Sequence, residues 1–171
     1  AIESADRSLL GRAQEGWLAG ELAESKRAGT RWQILGQQVM FAPQTEPGKP
    51  SFNADSWDGY RASRDRVLDM VSQLKIDSVA VLTGDVHSSW AYDLPRRPYE
   101  GYDPATGRGS LGVELVVTSV TSHSTIGTGP EGEQQLAGLR ERMPHLHYVD
   151  GRYRGYYILD LTRERLQADY F

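Results

Sequence analysis

The sequence contains no cysteine. That excludes disulfides, a thiol nucleophile and a cysteine-built zinc site, and it leaves the compartment open, because disulfide-free chains occur everywhere. No apolar run approaches the ~18 residues that a membrane-spanning helix needs. No signal-peptide pattern is visible at Ala1. Ala1 is not an initiator Met and enters a helix lead-in directly, as expected of a processed product or a piece of something longer. Positive charge is also lacking: the formal net charge is −4. A nucleic-acid scaffold or an anionic membrane surface is therefore a poor partner, and a phosphate-bearing substrate needs a local cation, either Arg or metal. Repeats and low-complexity segments are absent.

What remains fits one soluble globular domain with a real core: 171 residues, 39% hydrophobic and 25% charged. Leu10, Ala13, Trp17, Leu18 and Leu22 share a helical face, which predicts a helix over about 11–26 that stops at Gly29. "RWQILGQQVMFA" (31–42) predicts a buried strand and a turn out of it. Tyr60, Val67, Leu68, Val71 and Leu74 mark a second amphipathic helix over 60–75. "SVAVLT" (78–83) is a continuous apolar run, as in a strand buried on both faces. Strand, crossover helix and strand make a parallel βαβ unit. "GVELVVTSV" (112–120) predicts a third strand, 122–132 a loop, 133–142 a short helix, and 154–171 a terminal antiparallel pair. The fold class is α/β: a mixed β-sheet with flanking helices, or half of a layered sandwich.

In open α/β sheets, ligands bind beyond the carboxyl ends of strands. Gly36-Gln37-Gln38 and Gly84-Asp85-Val86-His87 stand at two such exits. Asp85 and His87 alternate with Val86, so they point the same way if the strand persists. A carboxylate beside a neutral imidazole suits two neighbouring cations. The pattern also fits a turn capped by Asp85 followed by a surface histidine. The long loop 43–59 is of a length that is usually functional or disordered. It offers Asn53 and Asp55 as ligand candidates, Asp58 as a cap for the second helix, and Trp57 as packing. Arg61, Arg64 and Arg66 form a basic helix face, solvated or phosphate-steering. Ser88 and Ser89 follow His87, but the G-x-S-x-G context of a hydrolase nucleophile is absent. His123, His145 and His147 sit in loop or strand-edge settings. His145 is the one to test first, because Pro144 fixes the backbone before it.

Five blocks in order resemble the carboxyl-terminal part of PhoD-type alkaline phosphatases: "WQILGQQVMFAP", "NADSWDGY", "VLTGDVHSSWAYDL", "GVELVVTSVTS" and "PHLHYVDGRYRGYYILDLTRERLQADYF". The resemblance runs over nearly the whole chain, 1–171. It implies the calcineurin-like metallophosphoesterase superfamily, whose fold is an αββα sandwich around a two-metal centre. The chain is then the carboxyl-terminal part of such a catalytic domain. The implied activity is hydrolysis of phosphate mono- and diesters by a hydroxide that two metals activate, with iron and calcium as the expected pair and other divalent metals as substitutes. His87 is implied as the ligand of the iron-like metal and Asp85 of the calcium-like one; an oxygen donor suits a hard cation. Gln37 falls near the family's Gly-His-His position and is expected behind the ligands. Asp55 lies in the "DSWDGY" block. No catalytic acid is assignable.

The resemblance also implies what this chain does not hold. No second Gly-Asp and no Gly-Asn-His occur. The bridging carboxylate that holds two metals about 3.5–4 Å apart is therefore expected in an amino-terminal half that supplies the other ligands. Export to the periplasm or the medium is expected by the same resemblance. The rival reading is a non-catalytic fragment or binding module that keeps the fold without a complete centre. As half a sandwich, the chain is expected to expose apolar strand faces.

Overall fold

The computed structural model describes residues 2, 4–124 and 126–171. Ala1, with its helix lead-in, and Thr125, within the loop expected over 122–132, lie outside them. The elements in order are helix α1 (Gly11–Arg27), strand β1 (Gln33–Gly36), a 3-10 turn (Trp57–Gly59), helix α2 (Arg61–Gln73), strands β2 (Val79–Thr83), β3 (Ser89–Pro95) and β4 (Ser110–Val116), helix α3 (Gly129–Arg142), and strands β5 (Leu146–Asp150), β6 (Tyr157–Leu161) and β7 (Leu166–Tyr170).

The first helix ends as expected. Lys26 and Arg27 in its last turn complement the helix dipole, and Gly29 takes the left-handed φ of 71° that terminates it. Trp17 departs from expectation: it is 60% exposed, while Leu22 is buried. The two helices are tied by charge as well as apolar contact. Arg66 on α2 holds the Glu15 carboxylate of α1 at 2.8 Å, with help from Ser63 and Ser8. The Arg66 hydrogen bonds lead in lowering the Glu15 pKa to about 2.

Five strands form one sheet in the order β1-β2-β4-β3-β5. β1, β2 and β4 are parallel, and α2 is the crossover between the first two. β3 runs antiparallel to both β4 and β5. The mixed sheet with flanking helices is thus the observed architecture. Neither β3 nor β5 is among the elements the sequence reading expected. β3 alternates in fact, with Trp90, Tyr92 and Leu94 buried; β5 does not, since His147 and Tyr148 are both exposed between buried Leu146 and Val149. β1 is shorter than expected, because the chain leaves the sheet at Gln37.

Registered neighbours Val81 and Glu114, Trp90 and Val116, and Trp90 and Val149 line one face of the sheet. This face packs with Leu22, Val67, Leu68, Val71, Leu136 and Leu139 from the helices. The opposite face carries Ile34, Leu82, Val113, Leu115, Ala91 and Tyr148. Part of it is covered by the β6–β7 hairpin, where the Tyr170 hydroxyl donates to the Trp90 carbonyl at 2.8 Å and its ring meets Tyr148 at 5.2 Å. The hairpin is the only second layer on this face among the described residues. It leaves Ile34, Tyr148, Ile158 and Leu161 exposed.

Candidate metal centre

β2 does not persist through Asp85 and His87. It stops at Thr83, and residues 84–88 turn back into β3. A Cβ at Gly36 or Gly84 would meet nothing within 4 Å, so these glycines serve no close approach within the described chain. The turn is pinned from beneath. Val86 packs on the core cluster, and its carbonyl accepts from the buried Ser88 hydroxyl. Ser88 in turn accepts from Trp90 Nε1 at 2.7 Å. Ser88 is thus a buried structural hydroxyl and not a poised nucleophile. Asp85 and His87 flank Val86 with φ of 70° and 58°. The left-handed region costs an L-residue about 1–2 kcal/mol, and such strain concentrates at functional sites. Asp85 is exposed and His87 half-buried.

His87 is oriented. Its Nδ1 lies 3.0 Å from the His123 carbonyl, which can only accept. Nδ1 therefore carries the proton, and Nε2 keeps its lone pair. Metal-ligating histidines are held this way. Among the described residues no group donates to the Asp85 carboxylate. One carboxylate and one imidazole two positions apart on one turn, the imidazole with an Nε2 that no described residue engages, fit part of a metal site. Among the described residues no group of three His, Asp or Glu side chains is placed to hold a metal ion.

Behind the loop lies a continuous hydrogen-bond chain. Gln37 Nε2 donates to the Thr83 hydroxyl at 2.5 Å, and Thr83 donates to Glu114 at 2.6 Å. Gln37 Oε1 accepts from Trp57 Nε1 at 3.0 Å and from Val39 N–H. Both ends of the Gln37 amide are therefore committed. Glu114 is fully buried. Its two oxygens accept from the Phe41 and Ala42 amides at 2.8 and 2.7 Å, and burial raises its pKa. A charged residue in the middle of an apolar strand was the available signal for this clamp, and sequence reasoning passed over it.

The other candidates lie elsewhere. Asn53 and Asp55 form an exposed turn in which Asn53 Oδ1 accepts from Asp55 N–H at 2.9 Å. Asp58 does not cap α2, whose N-cap is Tyr60. It is buried, pairs with Arg64 at 2.6 Å, and accepts from Gln44 N–H and the Thr45 hydroxyl. Neither Arg64 nor Arg66 belongs to a solvated steering face, since each is spent on a carboxylate. His145 is buried against Tyr92 and donates from Nε2 to the Pro43 carbonyl at 2.7 Å. Burial lowers its pKa to about 4. Its carbonyl bonds Asp93, four residues along β3 from Ser89, so it sits roughly 13 Å down the sheet from the loop edge.

The Gly-Asp-x-His turn at the carboxyl edge of the sheet belongs to one of the blocks that resemble PhoD-type phosphatases, and comparison with known proteins supports that family. The family model described as PhoD-like phosphatase matches residues 1–170, and the chain belongs to that family. It is 35% identical over 167 residues to alkaline phosphatase D of Bacillus subtilis (strain 168), covering 96% of this chain and 27% of that protein. A solved structure, described as that of PhoD, superposes with a TM-score of 0.81 at 34% identity, covering 99% of this chain and 30% of that one. The chain thus spans about a quarter of the length of the curated relative it matches.

Proposed function

We propose that this chain supplies the Asp85–His87 edge of the metal centre of a phosphoester hydrolase, acting on phosphate mono- or diesters. The observation that carries the reading is the His87 ring, fixed through Nδ1, two positions along a strained turn from the Asp85 carboxylate, with no described residue bonded to His87 Nε2 or to that carboxylate. In this reading His87 Nε2 and the Asp85 carboxylate hold the metal ions, iron and calcium respectively by family resemblance. Metal ions bound there would polarise a phosphoryl oxygen and make a water acidic enough to attack near neutral pH. The contribution of this chain is placement: Val86 anchors the turn, His123 fixes the ring, and the Gln37–Thr83–Glu114 chain stiffens the strand exits beneath it. The remaining ligands come from the rest of a family-length polypeptide, which packs where Ile34 and Tyr148 of the sheet and Ile158 and Leu161 of the hairpin are exposed. Its work is done outside the cytoplasm, as the family resemblance implies.

The test is metal content, by elemental analysis, together with p-nitrophenyl phosphate hydrolysis by the full-length protein. Asp85→Ala and His87→Ala are each expected to lose metal and at least a hundredfold in rate, on the order of 3 kcal/mol of barrier. Unchanged metal and rate in both variants would leave the chain as a non-catalytic module.

A further inference from the structure

We propose that Arg154 is a positioning residue for His87, acting through His123; this rests on the reading of His87 as a metal ligand. The His123 carbonyl that orients the His87 ring belongs to an irregular segment, 117–124, with no helix or strand to hold it. Something else must fix that carbonyl, and the 153–155 segment does so. Arg154 Nε donates to the Thr121 carbonyl at 2.8 Å, and a terminal guanidinium nitrogen donates to His123 Nδ1 at 3.0 Å. One planar fork thereby grips two residues on either side of Ser122. The Thr118 hydroxyl to the Tyr153 carbonyl, and Gly155 N–H to the Ser119 carbonyl, complete the strap.

Guanidinium can only donate, so His123 Nδ1 accepts and the His123 proton sits on Nε2. The order of dependence is then Arg154 to the 121–123 segment, the His123 carbonyl to His87 Nδ1–H, and His87 Nε2 to the metal. Releasing the carbonyl frees the His87 ring to turn over and to exchange its tautomer. Partners behind a metal ligand typically change metal affinity by 10–100-fold when removed. A lysine has one nitrogen and does not reproduce a fork that spans both acceptors.

The experiment uses the metal-loaded, full-length enzyme. The rate of metal loss to EDTA is followed by elemental analysis, with kcat and KM measured alongside. Arg154→Ala and Arg154→Lys are both expected to shed metal about tenfold faster, with kcat lowered and KM unchanged. His123→Ala keeps the backbone carbonyl and one of the two Arg154 bonds, so a smaller acceleration is expected. Should Arg154→Ala misfold, Arg154→Lys decides, since it keeps the charge and most of the stem. Metal loss at the parent rate in the folded Arg154 variants overturns the proposal. So does a rise in KM alone, which would place Arg154 on the substrate. His87→Ala separates the two levels: if it too keeps its metal, the reading of the centre has failed. If it sheds metal while Arg154→Ala does not, only the positioning role has failed.

Discussion

Replacing Glu114 by Gln changes one atom and tests how the strand exits are held. Each carboxylate oxygen faces a buried backbone N–H, Phe41 on one side and Ala42 on the other. The amide of a glutamine must point its own N–H₂ at one of them, whichever way it is flipped. An unsatisfied buried donor costs about 1–3 kcal/mol, and two donors are forced together here, so Glu114→Gln should cost about 2–3 kcal/mol. Glu114→Leu strips both amides of their acceptor and should cost more, about 3–5 kcal/mol. Guanidinium unfolding of the intact protein at neutral pH reads both. The Gln variant should also loosen the Gln37–Thr83 contact, visible as faster amide exchange at Gln37, whose N–H bonds the Leu82 carbonyl. A Glu114→Gln protein within 0.5 kcal/mol of the parent would refute the two-oxygen clamp.

Two further perturbations follow from buried charge. Asp58→Asn leaves the Arg64 guanidinium in the core without its counter-ion and should destabilise by about 3–5 kcal/mol in the same unfolding assay, whereas an exposed pair such as Arg165–Asp160 should contribute under 1 kcal/mol. His145 stays neutral in the fold down to about pH 4 but takes up a proton near pH 6.5 when unfolded. Its contribution to stability is therefore fully present above pH 6.5 and declines as pH falls toward 4, by about 3 kcal/mol at most. The stability of a His145→Gln variant should lack this part of the slope, and parallel stability curves for the two proteins between pH 4 and 6.5 would contradict it.

The parts of the fold that were legible in the sequence are those written in local patterns. The face of α2, the apolar run of β2 and the parallel unit they form with β1 appear where spacing puts them. The terminal hairpin does too, because its turn residues separate two alternating runs. β3 and β5 were missed although Trp90, Tyr92 and Leu94 alternate cleanly. The preceding Gly-Asp-Val-His drew attention as a motif, and a strand that pairs antiparallel with distant β4 and β5 announces nothing locally. The candidate site was legible only in part. Gly-Asp-x-His marked the loop, but alternation along a strand was the wrong reason for the two side chains to share it. They share it because two left-handed residues flank a partly buried Val86 that packs on the core. The partners of His87 were beyond reach, since His123 and Arg154 are 36 and 67 positions away and meet it only through the fold. Asp58 and Arg64 illustrate the opposite error: one was read as a helix cap and the other as part of a basic helix face, while the fold buries them as a pair.

The central claim is that Asp85 and His87 grip cations. A crystal structure of the full-length protein, with anomalous data collected at the edges of the bound metals, tests it most directly. One metal should lie about 2.0–2.2 Å from His87 Nε2 and another about 2.3–2.6 Å from an Asp85 oxygen, with His87 Nδ1 still on the His123 carbonyl. Metal peaks that ignore both side chains, or a His87 ring whose Nε2 faces only solvent, would contradict it.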